Sequence, residues 1–112
     1  MKLVKEFIAK KELENLAKER FGDLVKAVVD VNREIMALGA DLHADEEAAL
    51  LEDGSKQEDL WGINIYPFLD KNKWIEFDSV INLRPSQNNR SREIENPTLR
   101  EKIIEIVNKL II

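Results

Sequence analysis

The chain has 112 residues, with 17 Lys and Arg against 22 Asp and Glu, one His and no Cys, a length that suits a single domain over 1–112 with one core and no covalent staples. The lack of Cys removes disulfides, thiolate metal sites and Cys nucleophiles, and a net charge of −5 disfavours a sequence-independent grip on nucleic acid, which needs a basic surface. No apolar run nears the ~20 residues of a membrane span, and Met1–Lys5 has no signal-peptide core, so a cytoplasmic protein with no membrane partner is expected.

Met1 to Ile8 mixes apolar and charged residues as a short edge strand does. Lys10 to Phe21 reads as a helix, with Leu13, Leu16, Ala17 and Phe21 on one face and Gly22 where a helix-ending glycine belongs. From Leu24 to Val31 the period changes from helical to alternating. Val25, Ala27, Val29 and Val31 share one face, and Lys26 and Asp30 are expected on the other, towards water. A short polar break, Asn32-Arg33-Glu34, leads into the apolar run Ile35 to Ala40, which predicts an antiparallel hairpin.

Ala44 to Glu52 looks helical, with acidic residues crowding a first turn whose dipole favours them and Gly54 as a stop. Leu60 to Tyr66 alternates again, placing Trp61, Ile63 and Ile65 inward, and Pro67 ends it. Trp74 to Leu83 reads as a second strand, with Ile75, Phe77, Ile81 and Leu83 inward. Pro85 to Asn96 is a long polar loop, of the kind that is often functional. A final helix opens on Asn96 as N-cap and Pro97 at its first position. The order β-α-β-β-α-β-β-α predicts an α+β fold: an antiparallel or mixed sheet of four to five strands with three helices, the sheet covered on one face.

Two constellations carry chemistry. The only His lies in Asp41-Leu42-His43-Ala44-Asp45-Glu46-Glu47, where His43 with Asp45 or Glu46 offers an acid/base pair. His43 and Asp45 are also weak candidates for metal ligands, without the spacing of a recognised metal motif. The bland alternative is a helix start with its capping acids. The strand-to-loop segment from Ser79 to Arg92 carries Arg84, Arg90 and Arg92 together with Asn82, Asn89 and Ser91. Planar guanidinium forks and neutral donors suit phosphate or carboxylate recognition, and no Gly-rich phosphate loop is present. Asn64 faces the more polar side of its strand, where it could line the same pocket. Gly62, beside Trp61, allows another group to approach the backbone. Ser55 has no evident base, so a Ser hydrolase is not supported.

The segments LHADEEAALLEDGSKQEDLWGINIYP and SVINLRPSQNNRSREI, together with GDLVKAVVDVNREIMALGADLHAD, span nearly the whole chain. Their combination resembles a small prokaryotic family classed as a domain of unknown function, marked by HAD-E, GS-Q, WG-N-YP and IN-RP…NRS. The resemblance implies no activity, substrate or cofactor. It singles out His43, Asp45, Ser55, Gln57, Trp61, Asn64, Asn82, Arg84, Asn89, Arg90 and Ser91 as motif positions. It also places Asn88 where members often carry Gly, a position suited to a left-handed turn.

Two functional classes are compatible with these residues. One is a binding or interaction module with an anion-recognising pocket, homodimeric through the broad apolar stripe of the last helix and the tail Leu110-Ile111-Ile112. The other is a small enzyme using His43 with Asp45 or Glu46 on an anionic substrate held by Arg84, Asn89 and Arg90. The second requires His43 and the Arg-rich loop to meet in one hollow.

Overall fold

The structure, a computed structural model, describes residues 1–112. Its strands are β1 (Lys2–Val4), β2 (Val25–Asp30), β3 (Ile35–Leu38), β4 (Leu60–Ile65) and β5 (Ile75–Glu76), and its helices α1 (Lys10–Arg20), α2 (His43–Glu52) and α3 (Pro97–Leu110). The strands form one five-stranded sheet in the order β1-β3-β2-β4-β5, every pairing antiparallel. The fold is therefore α+β, in the order the sequence predicts. No helix is long and apolar enough to cross a membrane.

The alternation along β2, β3 and β4 sorts their side chains onto two faces. On one, Val25, Ala27, Val29, Met36, Leu38, Trp61, Ile63 and Ile65 pack against Leu13 and Ala17 of α1 and Ile103, Ile106, Val107 and Leu110 of α3. The other face is covered too. There Leu50 of α2 packs on Val28, Ile35, Ala37 and Leu60. Central strands buried on both sides explain why Ile35–Leu38 reads as a continuous apolar run.

This second cover corrects the expectation that Asp30 faces water. Asp30 is fully buried; its Oδ1 accepts from the backbone N–H groups of Asn32 and Arg33, each at 2.9 Å. Its Oδ2 accepts from the Ser55 hydroxyl at 2.6 Å, and Arg33 donates to Ser55 Oγ and to Asp53, both at 2.8 Å. Ser55 thus does have a carboxylate beside it. Neither residue borders a cavity, and the group locks the β2–β3 turn onto the end of α2.

The second correction concerns residues 74–83. Only Ile75–Glu76 forms strand, and Val80–Asn82 winds into a 3-10 turn. The chain still runs along the outer edge of β4, but side chains replace backbone as partners. Glu76 opposes Asn64 as a strand residue. At Gly62 the Asn82 side chain takes over, its Oδ1 accepting from Gly62 N–H at 2.8 Å and its Nδ2 donating to Gly62 O at 2.9 Å. Beyond it, the Arg84 guanidinium donates to Leu60 O. Apolar alternation cannot distinguish this mimicry from a strand, because Ile75 and Phe77 still pack on one core and Ile81 on the other.

The tail is used internally. Leu110 and Ile111 are buried; Ile8 N–H donates to Leu110 O at 2.7 Å and Ile112 N–H to Ile8 O at 2.9 Å. On α3, Ile104 is 39% exposed. In the long loop Asn88 takes φ 59°, the left-handed turn that its Gly-like position implied.

A Cβ at Gly62 would lie 2.6 Å from both Cβ and Oγ of Ser79, itself buried. Gly62→Ala is therefore expected to lower stability by about 1–3 kcal/mol in urea unfolding. The Gly62→Ala/Ser79→Gly double variant should regain part of that loss, since the two side chains compete for one space.

Candidate functional site

The face beneath α2 has a polar row at its open end: Lys26 on β2 opposes Asn64 on β4, which opposes Glu76 on β5. Beside this row, at the start of α2, lies a hollow of about 310 Å³ lined by Lys26, Leu42, His43, Ala44, Val80 and Arg92. A strand, a helix start, a 3-10 turn and the long loop each contribute to it.

His43 is the first residue of α2 and is 7% exposed. Its Nε2 lies 2.7 Å from Ile63 O. A carbonyl can only accept, so Nε2 carries the hydrogen and Nδ1 keeps its lone pair. Burial pushes the imidazole below its usual pKa; the Ile63 hydrogen bond opposes this and Lys26 adds to it. The ring is neutral at pH 7, and as pH falls below 6.5 the unfolded chain takes up the proton first, so this group costs stability on acidification.

Arg92 is placed by its backbone. Arg92 O accepts from Ser79 N–H and from Asn82 Nδ2, each at 3.1 Å, and Asp78 and Glu93 on either side form an antiparallel bridge. Its side chain gives Nε to Asp78 Oδ1 at 2.9 Å, which leaves both terminal nitrogens of the fork for another partner. Lys26 is half-buried and forms no ion pair, with Nζ 5.5 Å from the centre of the Phe21 ring. Residue Leu42 cannot cap α2, so no side chain meets the first amides of the helix. The hollow thus gathers two cationic side chains and a helix start in a chain that is acidic overall.

The other predicted site residues lie elsewhere. Arg84 is half-buried and spends its fork on the main chain, donating Nε to Ile81 O at 2.9 Å and Nη1 to Gln57 O at 2.8 Å, while its plane stacks 4.2 Å from the centre of Trp61. Asn82 and Asn89 are buried organisers. Asn89 donates Nδ2 to Asn82 O and Glu93 O, each at 2.7 Å, and its Oδ1 accepts from Glu95 N–H at 2.9 Å. Asn64 donates to Glu76 Oε1 at 2.8 Å and its own Oδ1 is buried without a partner. Ser91 leans weakly on Glu93 O at 3.5 Å, and Arg90 is exposed with its backbone N–H on Glu95. The structure therefore joins His43 to Arg92 and Lys26, and not to Arg84 or Arg90.

His43 is also parted from the acids beside it in sequence. Asp45 is exposed. Glu46 is fully buried; its Oε2 accepts from Ala40 N–H at 3.0 Å, at the exit of β3, whereas His43 binds β4 on the far side of β2. No three His, Asp or Glu side chains converge in a way that could hold a metal ion. Lys26 is the residue that sequence reasoning missed, because alternation assigns it to a solvated face; only its register beside Asn64 and under the start of α2 reveals it.

The chain belongs to the family described as Protein of unknown function (DUF5674), whose model matches residues 2–110. No curated protein and no solved structure matches it.

Burial pushes Glu46 up to about 9 from 4.5 against the Ala40 hydrogen bond, so it is a neutral acid at pH 7. Between those values the folded chain holds a proton that the unfolded chain has lost, so this group makes stability fall as pH rises. Glu46→Gln should flatten that fall and melt higher than the parent at about pH 8, with the gap closing at about pH 5, as followed by thermal unfolding.

Proposed function

We propose that this chain is a small binding module for an oxyanion, held in the hollow between Lys26, His43 and Arg92 at the start of α2. The observation that carries this reading is the set of unclaimed donors there. Arg92 keeps its terminal nitrogens free, Lys26 has no carboxylate, and the α2 start has no side-chain cap. Such donors around one hollow suit phosphate-like or carboxylate groups, and positive potential focused in an acidic protein attracts anions locally. Asn82 and Asn89 then serve as positioning residues, because Asn82 holds Arg92 O and Asn89 holds Ser91 O and Glu93 O on either side of it. The cysteine-free, acidic composition suits the cytosol.

A ligand that binds only the folded chain at 100 times its Kd adds about 2.7 kcal/mol of stability. Inorganic phosphate should therefore raise the melting temperature of the parent protein. Lys26→Ala and Arg92→Ala should abolish the rise, and Arg90→Ala should keep it. Equal rises in all four proteins would mean that phosphate acts as a general salt and not at this hollow.

A second reading is association with another copy of this chain. It is favoured by the larger hollow, about 550 Å³, which Ile75, Phe77 and the exposed Ile104 floor between β5 and α3, with Lys71, Asn72 and Asn108 around it. Its test is light scattering at high concentration: a dimer that Ile104→Asp converts to monomer supports it, and a monomer throughout ends it.

A further inference from the structure

Among the side chains that line the oxyanion hollow, one polar atom is of the opposite kind to the rest. Lys26, the Arg92 fork and the α2 amides can only donate. His43 is 7% exposed, so it is a built wall of the site and not a passing surface side chain. Its Nε2–H is committed to Ile63 O at 2.7 Å, so the same ring cannot offer a second hydrogen without becoming a buried cation. Nδ1 has no protein partner. It is also not among the sealed, unpartnered polar atoms, which are Glu46 Oε1, Glu47 Oε2 and Asn64 Oδ1, so it keeps some accessible surface, on a residue that lines the hollow. Asp78 holds Arg92 Nε through Oδ1 but is not part of the lining, so among the lining side chains Nδ1 is the one open acceptor.

From this geometry we infer that the hollow selects an oxyanion that brings its own O–H, with the anionic oxygens taken by Lys26, Arg92 and the start of α2 and the O–H donated to His43 Nδ1. The inference rests on the oxyanion reading above and narrows it to a ligand class. The physical reason is lone-pair matching. An oxygen without a hydrogen set against Nδ1 places two lone pairs face to face, and a site with a buried unmatched polar atom rejects its ligand far more sharply than one lacking an apolar contact. Two sources supply the required group: hydrogen phosphate, which carries the hydrogen on the anion itself, and a phosphate ester with a hydroxyl on its organic part. A hollow of about 310 Å³ has room for either.

The test is calorimetric titration of the intact chain at slightly alkaline pH with four anions: hydrogen phosphate, glycerol phosphate, methyl phosphate and sulfate. At that pH methyl phosphate and sulfate carry no hydrogen. Hydrogen phosphate or glycerol phosphate should bind at least about tenfold more tightly than both, which corresponds to about 1.4 kcal/mol; which of the two leads identifies the source of the O–H. His43→Gln can still donate an amide hydrogen to Ile63 O but has no acceptor at the Nδ1 position, so in that variant the four affinities should converge. The comparison in the parent protein decides the matter even if the variant does not fold. Equal binding of all four, or a preference for sulfate, would overturn the selection while leaving an oxyanion site in place. No binding of any of them would overturn both readings together.

Discussion

The pairing of the Asn82 side chain with both backbone polar groups of Gly62 is the contact on which the rest of the architecture depends. A carboxamide is a copy of a peptide unit, and Asn82 uses it to close the outer edge of β4 where β5 has already ended. Gly62 makes this possible by having no Cβ, since Ser79 occupies that space. Because the segment follows β4 through side chains, its own backbone is free to turn, and the second Asn82 hydrogen reaches Arg92 O. The sheet thereby fixes a loop residue that is far from it in sequence.

Polar groups on the α2 side of the sheet are handled in two ways. Some are satisfied completely, as in the Asp30–Ser55–Arg33–Asp53 group, whose internal hydrogen bonds lie between 2.6 and 2.9 Å. Others are left incomplete: Glu46 is kept neutral with one oxygen unpartnered, and Asn64 Oδ1 has no donor. Buried polar atoms without partners cost stability, which is one reason such positions are associated with function more than with folding. The cations of the hollow belong to the same face, so the α1–α3 side carries the larger apolar core and the α2 side carries the polar chemistry.

Much of this was legible from periodicity. The helix boundaries, the β2–β3 hairpin and β4 follow directly from where apolar residues recur, and Asn96 caps α3 through Thr98 and Leu99 N–H as its position suggests. Residues 74–83 were misread because alternation reports which side of the backbone a residue faces and not which atoms fill the hydrogen bonds. Asp30 and Lys26 depart from the alternation pattern for a related reason: it puts them on the uncovered face, whereas α2 lies over or beside them; Glu46, read as a partner of His43, is instead buried on Ala40 N–H. The Arg-rich loop was visible as a basic cluster, but composition could not reveal that Arg84 would be consumed by carbonyls while Arg92, held through its backbone, would be left with a free fork.

The stitching of Ile8 to Leu110 and Ile112 has a consequence for biosynthesis. The smaller core is built from residues between 28 and 60 and can assemble while later codons are still being read. The larger one needs Ile103, Ile106, Val107 and Leu110, so β1 and α1, which can already meet β3 and β2, have an incomplete core until α3 leaves the ribosomal tunnel. During that interval the nascent chain presents a greasy sheet surface that only α3 can finish covering.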